Sequence, residues 1–538
     1  MDVVVIDGYV DEPASLGVRP FLHPMVRAMY GAALDAGAKV FYLTIDHIRN
    51  GIEIPRADVY ACHVGSAVPG RYLRSMPASD RELNSIFDRI AGQVIVGGPA
   101  ALSDAQRNDV ISVRKDAAAT LHDLLLRGEI TDRWRTLDEW NRWLLLGSGM
   151  VGQHPDFPEP LIVEVETYRG CMRHDSGGCS FCVEPLKGKP VFRDMDDIVD
   201  EVSNLRKLGV ANFRLGGQTC FVSYMASRSR GEIVPNPEAV DSLLSRLASL
   251  NPRVLHLDNA NPAVIATRPE ESIEVLRSVA RHCTSGNVLA LGMESADPSV
   301  IEANNLNATP DQVMFAVDII NQIGGERGEN GLPRLLPGLN FIIGLDGETP
   351  RTLDLNMDFL KDVLKRGYLL RRINIRQVMC IRRDFKPGVK RSQFIRFKER
   401  VREEVDRPIL ERLVPIGTVL RDVYIEIREG NRSFGRQVGS YPLLVGFEYP
   451  LQTEGFLDAT VVGWGYRSIT AVEHPLSLNS CPMSALTSLP GIGKKRAARL
   501  MRARPLHGKD DLILALGDER LAEELEDMLS FRPNAGEA

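Results

Sequence analysis

Short apolar runs alternate with longer stretches of helical period along most of this chain. The first run is Val3-Val4-Val5-Ile6, ended by Asp7-Gly8. Runs at 39–43, 58–62 and 93–97 repeat it, the last closing in Gly97-Gly98-Pro99. Helix formers fill 22–36 and stop at Gly37. Strand, helix, strand in repetition predicts a parallel sheet covered by helices. Ligands of such sheets sit at the carboxyl ends of strands. Loops 7–19, 63–77 and 97–103 are therefore the candidate binding loops.

A second series runs from 161 to about 390, with strands predicted at 161–166, 212–215, 254–257, 288–293, 339–343 and 373–378. Six strands separated by helices suit a partial (β/α)6 barrel. A polar, Trp-containing stretch at 131–160 reads as a connector. Beyond about 410 the runs shorten and glycines intervene, at 418–427, 441–447 and 459–462, which predicts a small β-barrel. From about 480 the pattern is helical again. The expected organisation is an α/β chain in five parts: 1–135 a Rossmann-like domain, 136–160 a linker, 161–400 the barrel, 401–478 a β-rich domain and 479–538 a helical tail.

Composition narrows the setting. The 538 residues are 44% hydrophobic and 25% charged, with net charge −6, so any nucleic-acid surface must be local. No apolar run reaches the length of a membrane span, and no membrane partner is expected. The N-terminal segment carries Asp2 and Asp7 and lacks the basic start of a signal peptide, so the expected location is cytoplasmic. In that compartment eight cysteines suggest metal or redox chemistry rather than disulfides.

Three of them cluster in Cys171-Met-Arg-His-Asp-Ser-Gly-Gly-Cys179-Ser-Phe-Cys182, directly after a predicted strand. Thiolates are soft ligands that suit iron–sulfur clusters or zinc. Three ligands on a [4Fe–4S] cluster leave one iron open. A zinc site completed by His174 is the alternative. Glycines at 170, 177 and 178 permit a tight loop. This loop after the first barrel strand, with Phe181 before its last cysteine, resembles that of radical S-adenosylmethionine (SAM) enzymes. The gaps here are seven and two residues, a longer first gap than the family's common one. The resemblance implies a [4Fe–4S] cluster on Cys171, Cys179 and Cys182, with SAM as second cofactor. It further implies that Gly216, Gly217 and Gln218 bind the methionine amino group, with Gln replacing the usual Glu. Glu294 and Ser295 match the segment that contacts the ribose and carboxylate, and 338–344 the strand that cradles adenine. Each of these could singly be ordinary strand-end turn chemistry.

The first domain resembles the cobalamin-binding domain of cobalamin-dependent radical SAM methyltransferases. Ser66, Pro69, Gly97 and Gly98 would then lie near the corrin or its nucleotide tail. The Asp-x-His-x-x-Gly cobalt-ligand motif is absent, and Asp46-His47 with Gly51 has the wrong spacing. A Rossmann-like domain without ligand is the alternative. In the tail, 489–499 resembles a helix-hairpin-helix, with Lys494, Lys495, Arg496 and Arg499 beside a glycine turn, although 518–527 is acidic. Segments 435–442 and 463–467 resemble the RNA-binding barrel appended to some methylthiotransferases. The layout as a whole is similar to archaeal enzymes that C-methylate a glutamine of methyl-coenzyme M reductase. It implies a 5′-deoxyadenosyl radical, a methyl group from cobalamin, a protein substrate and an external electron donor, with catalytic side chains unassigned. Asp258, Asn259 and Asn261 are expected either to hold substrate or to cap a loop. Modification of RNA or DNA, delivered by the tail, is the competing reading.

Overall fold

The computed structural model describes residues 1–10, 21–65, 76–102 and 107–532. Its N-terminal sheet is parallel and five-stranded, in the order Lys39–Thr44, Asp2–Asp7, Val59–His63, Gln93–Gly97, Val110–Ser112. The four expected strands are present; the short fifth was not anticipated. Val3, Val5, Ala61 and Ile95 face the helices Pro24–Asp35 and Ala117–Arg127, while Val4, Ile6, Tyr60 and Cys62 face the opposite core. Burial on both faces explains the unbroken apolar runs. Strand order reverses between Asp2–Asp7 and Val59–His63, and this switch point opens the crevice where such sheets take ligands.

The stretch expected as a linker is instead part of the core. Helix Leu137–Gly147 begins at a Thr136/Glu139 capping box and buries Trp140 and Trp143. It lies backbone to backbone on Pro24–Asp35: a Cβ at Gly31 would stand 1.9 Å from the Trp143 carbonyl oxygen. Polar residues on its outer face hid this helix in the sequence.

Seven strands form the open barrel, the six expected and the two-residue Asn259–Ala260 that follows Val254–Leu257. One sheet holds Val254–Leu257, Asn212–Gly216 and Ile162–Glu166; the other starts at Asn259–Ala260 and continues with Asn287–Glu294, Leu335–Ile343 and Arg372–Gln377. The N-terminal domain is stitched to the first barrel strand. Leu22 N–H donates to the Ile162 carbonyl at 2.9 Å, and Glu164 N–H to that of Leu22 at 3.1 Å. Beneath this junction Glu201 is buried between Arg27 and Arg193, at 2.7 and 2.6 Å.

A closed five-stranded barrel follows, running from Val419–Glu429 to Ser468–Glu473. Its Gly439–Tyr441 segment enters the larger barrel. The Ser440 N–H donates to His256 Nδ1 at 3.1 Å, the Tyr441 hydroxyl donates to Asp258, and Arg372 lies 4.1 Å over the Tyr441 ring. Four tail helices, Met483–Ser488, Lys494–Ala503, Lys509–Leu516 and Glu519–Leu525, share one apolar core with the small barrel. Among the described residues no helix is long and apolar enough to cross a membrane.

Candidate active site

The cysteine loop crosses the carboxyl end of strand Ile162–Glu166. It is shaped by glycines and pinned by distant arginines and asparagines. Gly170 has φ 97°, and a Cβ there would meet the Lys189 carbonyl oxygen at 2.5 Å. Arg382 Nη1 donates to the carbonyls of Gly177, Cys179 and Cys182 at 3.1, 2.9 and 3.0 Å. Arg173 N–H reaches Cys171 Sγ at 3.3 Å and its Nη1 reaches Cys179 Sγ at 3.2 Å, so positive charge and N–H groups face two of the sulfurs. Asn305 holds the carbonyls of Ser176 and Gly178 at 3.1 and 2.8 Å.

Among the described residues no three His, Cys, Asp or Glu groups gather around one point as a single ion requires. His174 Nδ1 lies 2.8 Å from the Pro185 carbonyl oxygen. A polynuclear cluster takes its thiolates at separate irons. Burial pushes the Cys179 thiol up to about 11 and Cys182 up to about 12, and raises Cys171. Without metal these thiols are protonated near neutral pH, and binding a cluster must displace those protons.

Around the loop stand the strand ends. Phe181 packs with Ile342 against Val300, Leu306, Leu345 and Phe385. Gly216 and Gly217 lie where side chains would collide with carboxylates: a Cβ at 216 would stand 2.1 Å from Glu164 Oε1, and one at 217 would stand 2.8 Å from Glu166 Cγ. Gln218 differs from expectation. It is 2% exposed, its Nε2 donates to the Leu215 carbonyl at 2.9 Å, and its Oε1 accepts from Thr167 Oγ1 at 3.4 Å. Its amide is spent within the protein. Glu294 sits at φ 58°, with Oε2 buried and unpartnered. Burial pushes its carboxyl up to about 8 although Arg376 opposes this. Ser295 Oγ accepts from Asp297 N–H at 3.1 Å.

Other expectations are corrected. Asp258 is paired with Arg214 and Tyr441 inside the barrel and is not available to substrate. Asn259 belongs to the short strand Asn259–Ala260. Asn261 caps helix Pro262–Thr267, accepting from Ala263 N–H at 3.0 Å. It also lines a cleft of about 480 Å³, shared with Met172, Arg173, Arg228, Thr267 and Asn307, beside the cysteine loop. His47 closes a capping box with Thr44 rather than offering a ligand. Ser66 and Pro69 lie outside the described residues. Gly97 and Gly98 end the strand Gln93–Gly97, where a Cβ on Gly98 would come 3.2 Å from His63 Nδ1.

That His63 escaped the sequence reading. It ends strand Val59–His63 at the switch point and is 4% exposed, and neither ring nitrogen has a hydrogen-bond partner among the described residues. Burial pushes its imidazole down to about 4, so it is neutral. Its ring lies 4.6 Å from that of His23, whose Nε2 is 3.9 Å from Glu164 of the barrel. Glu166 and Lys187 of the barrel lie within electrostatic reach of this junction, and Arg169 stacks 4.6 Å over Trp134, with Nε and Nη1 unpartnered among the described residues. The available signal was one of position: polar residues at the ends of apolar strands.

The sequence profile of the radical SAM superfamily matches residues 165–360, the span from the first barrel strand to the fifth barrel helix. Residues 165–360 are a radical SAM domain. The chain forms one family with archaeal relatives of undetermined role. An uncharacterised protein of Methanocaldococcus jannaschii is 45% identical over 502 residues, 87% of this chain and 92% of that one. One of Archaeoglobus fulgidus is 40% identical over 531 residues, 96% and 98% of the two chains. A tRNA-2-methylthio-N(6)-dimethylallyladenosine synthase of Acinetobacter baylyi is 28% identical over 209 residues, 38% of this chain and 39% of that one. Among solved structures, the radical SAM methyltransferase TsrM of Kitasatospora setae aligns at TM-score 0.48 and 14% identity, over 70% and 72% of the chains. The cobalamin-dependent radical SAM enzyme OxsB aligns at 0.47 and 14%, over 75% and 55%. Radical SAM membership implies a [4Fe–4S] cluster and SAM. The donors present suit both: three thiols on one loop, and two unpartnered carboxylate oxygens, on Glu166 and Glu294, at the strand ends.

Proposed function

We propose that this radical SAM enzyme is a cobalamin-dependent C-methyltransferase acting on an unactivated carbon of a protein residue, with a glutamine of methyl-coenzyme M reductase as the first substrate to try. The observation that carries this reading is the junction of the N-terminal sheet with the barrel. His63, at the switch point, lies 4.6 Å ring to ring from His23, whose Nε2 is 3.9 Å from Glu164 of the first barrel strand. A ligand at the switch point would stand beside the strand that leads into the cysteine loop. His63, whose ring nitrogens have no partner among the described residues, and Gly98, with no side chain, fit a large planar ligand there.

In this reading Cys171, Cys179 and Cys182 hold the cluster, while Phe181, Gly216, Gly217, Glu294 and Ser295 line the SAM site. A cluster with SAM supplies reductive cleavage to a carbon radical, and cobalamin supplies the methyl group. The chain's own work is to hold the thiolates, orient the reacting carbon and exclude water. The cleft of about 480 Å³ beside Met172 and Arg173 has the volume to admit one side chain of a partner. A net charge of −6 favours a polypeptide over nucleic acid. An external donor provides the electron.

The test is anaerobic reconstitution with iron, sulfide and cobalamin, then mass spectrometry of a glutamine-containing reductase peptide. A gain of one methyl group with formation of 5′-deoxyadenosine is expected. Protein that never retains cobalamin sinks methyl transfer. A second reading, modification of RNA or DNA, is favoured by helix Lys494–Ala503, where Lys494, Lys495, Arg499 and Arg502 are exposed after the turn at Gly491, φ 72°. The likeness to a tRNA-2-methylthio-N(6)-dimethylallyladenosine synthase, over 38% of this chain, supports it. Neutralising those four cations distinguishes the two: peptide turnover survives, whereas turnover of a nucleic acid falls.

A further inference from the structure

Gln218 stands where the family's Gly-Gly-Glu turn places an acid, but it is neutral and buried, and its amide is hydrogen-bonded to Thr167 and the Leu215 carbonyl. A charged acceptor for a SAM ammonium group must come from another residue. The strand before the cysteine loop supplies one. Glu166 ends Ile162–Glu166, five residues before Cys171, and shares strand parity with Glu164, whose carboxylate reaches the inward-facing Arg214 at 3.7 Å. Its carboxylate lies against Gly217: a Cβ there would come 2.8 Å from Glu166 Cγ and 3.1 Å from Oε1. Only glycine leaves the acid in this place.

Glu166 Oε2 is buried and without a hydrogen-bond partner among the described residues. Among the cations in its field, Arg135 Nε is held by Asp116 at 2.7 Å, Lys187 by Glu184 at 2.6 Å and Arg193 Nη1 by Glu201 at 2.6 Å, while Arg169 lies over the Trp134 and Trp140 rings at 4.6 and 5.2 Å. A carboxylate removed from water and left unpaired is costly, and an arriving ammonium group removes that cost. Glu294, whose Oε2 is also unpartnered among the described residues, stands in the field of Arg376 and of Cys179, on the far sheet of the barrel.

We propose that Glu166 accepts the α-ammonium group of bound SAM, replacing Gln218 in that role. This rests on the radical SAM reading of the barrel and specifies how its cofactor is gripped. The experiment measures equilibrium binding of SAM and of 5′-methylthioadenosine, which lacks the amino-acid portion, to the anaerobically reconstituted full chain. Glu166→Gln is expected to weaken SAM by about 10- to 100-fold, the size of a lost charge-assisted hydrogen bond, with 5′-methylthioadenosine and iron content unchanged. Glu166→Asp, which keeps the charge, recovers most of the affinity. Glu294→Gln weakens both ligands alike. Equal SAM affinity in Glu166→Gln, a parallel loss of both ligands, or loss of iron from that variant overturns the assignment. Wild-type protein that binds neither ligand overturns the cofactor reading as well.

Discussion

Glu294 holds a left-handed backbone, φ 58°, at the end of an eight-residue strand, and its carboxyl is pushed by burial from 4.5 up to about 8. Such strain persists only where surrounding structure imposes it, and it clusters at functional sites. The sign of its effect on stability follows from linkage. Unfolding returns the carboxyl to its ordinary value, so the unfolded chain releases a proton that the folded chain keeps. Stability of the metal-free protein therefore falls as pH rises through the interval from 4.5 to about 8. Glu294→Gln is expected to flatten that slope, a difference on the order of 2–4 kcal/mol by denaturant unfolding at the two ends of the interval; parallel pH profiles would refute it. The cluster cysteines give a second expectation. Cys182→Ala should lower bound iron and abolish 5′-deoxyadenosine formation while the apo-protein's circular dichroism stays that of the wild type. At this scale the sequence exposed the thiols, because their spacing is local. It did not expose His63 or Glu166, which stand out by buried polar atoms with no partner among the described residues, a fact of three dimensions.

Helix Pro24–Asp35 shows what governs elements. It packs on Leu137–Gly147 so closely that Gly31 faces the Trp143 carbonyl and Gly147 faces that of Arg27, where a Cβ would stand 2.0 Å away. Gly31→Ala should force the helices apart and cost about 1–3 kcal/mol, read as a lowered denaturation midpoint; an unchanged midpoint would mean the contact is loose. The strands of both sheets were legible because burial on two faces writes continuous apolar runs. Helix Leu137–Gly147 was missed because only Trp140, Trp143, Leu144 and Gly147 turn inward, and the flanking charges make the segment look like a linker.

Across the whole molecule the N-terminal domain, barrel and small barrel are bound by buried polar contacts that no local pattern announces. Glu201 lies on the apolar stripe of helix Met195–Lys207 with Ile198, Val202 and Leu205, and neutralises Arg27 and Arg193 at once. Glu201→Ala leaves two guanidinium groups buried without their acid, and a loss of about 3–5 kcal/mol is expected. In calorimetry the domain junction should loosen first, splitting one transition into two; a single unshifted transition would contradict this. By itself the sequence determined the α/β series, the closing β-rich segment and the cysteine loop, since each is encoded by residues near in the chain and by the period with which they are buried. Tertiary structure alone decided that Gln218 is hydrogen-bonded to Thr167 and the Leu215 carbonyl, that Tyr441 meets Asp258 inside the barrel, and that His63 stands against His23 at the junction with the barrel. Hydrophobic periodicity reports which face is buried but not against what, and a polar side chain acquires its role only from the partner the fold brings, or fails to bring, within reach.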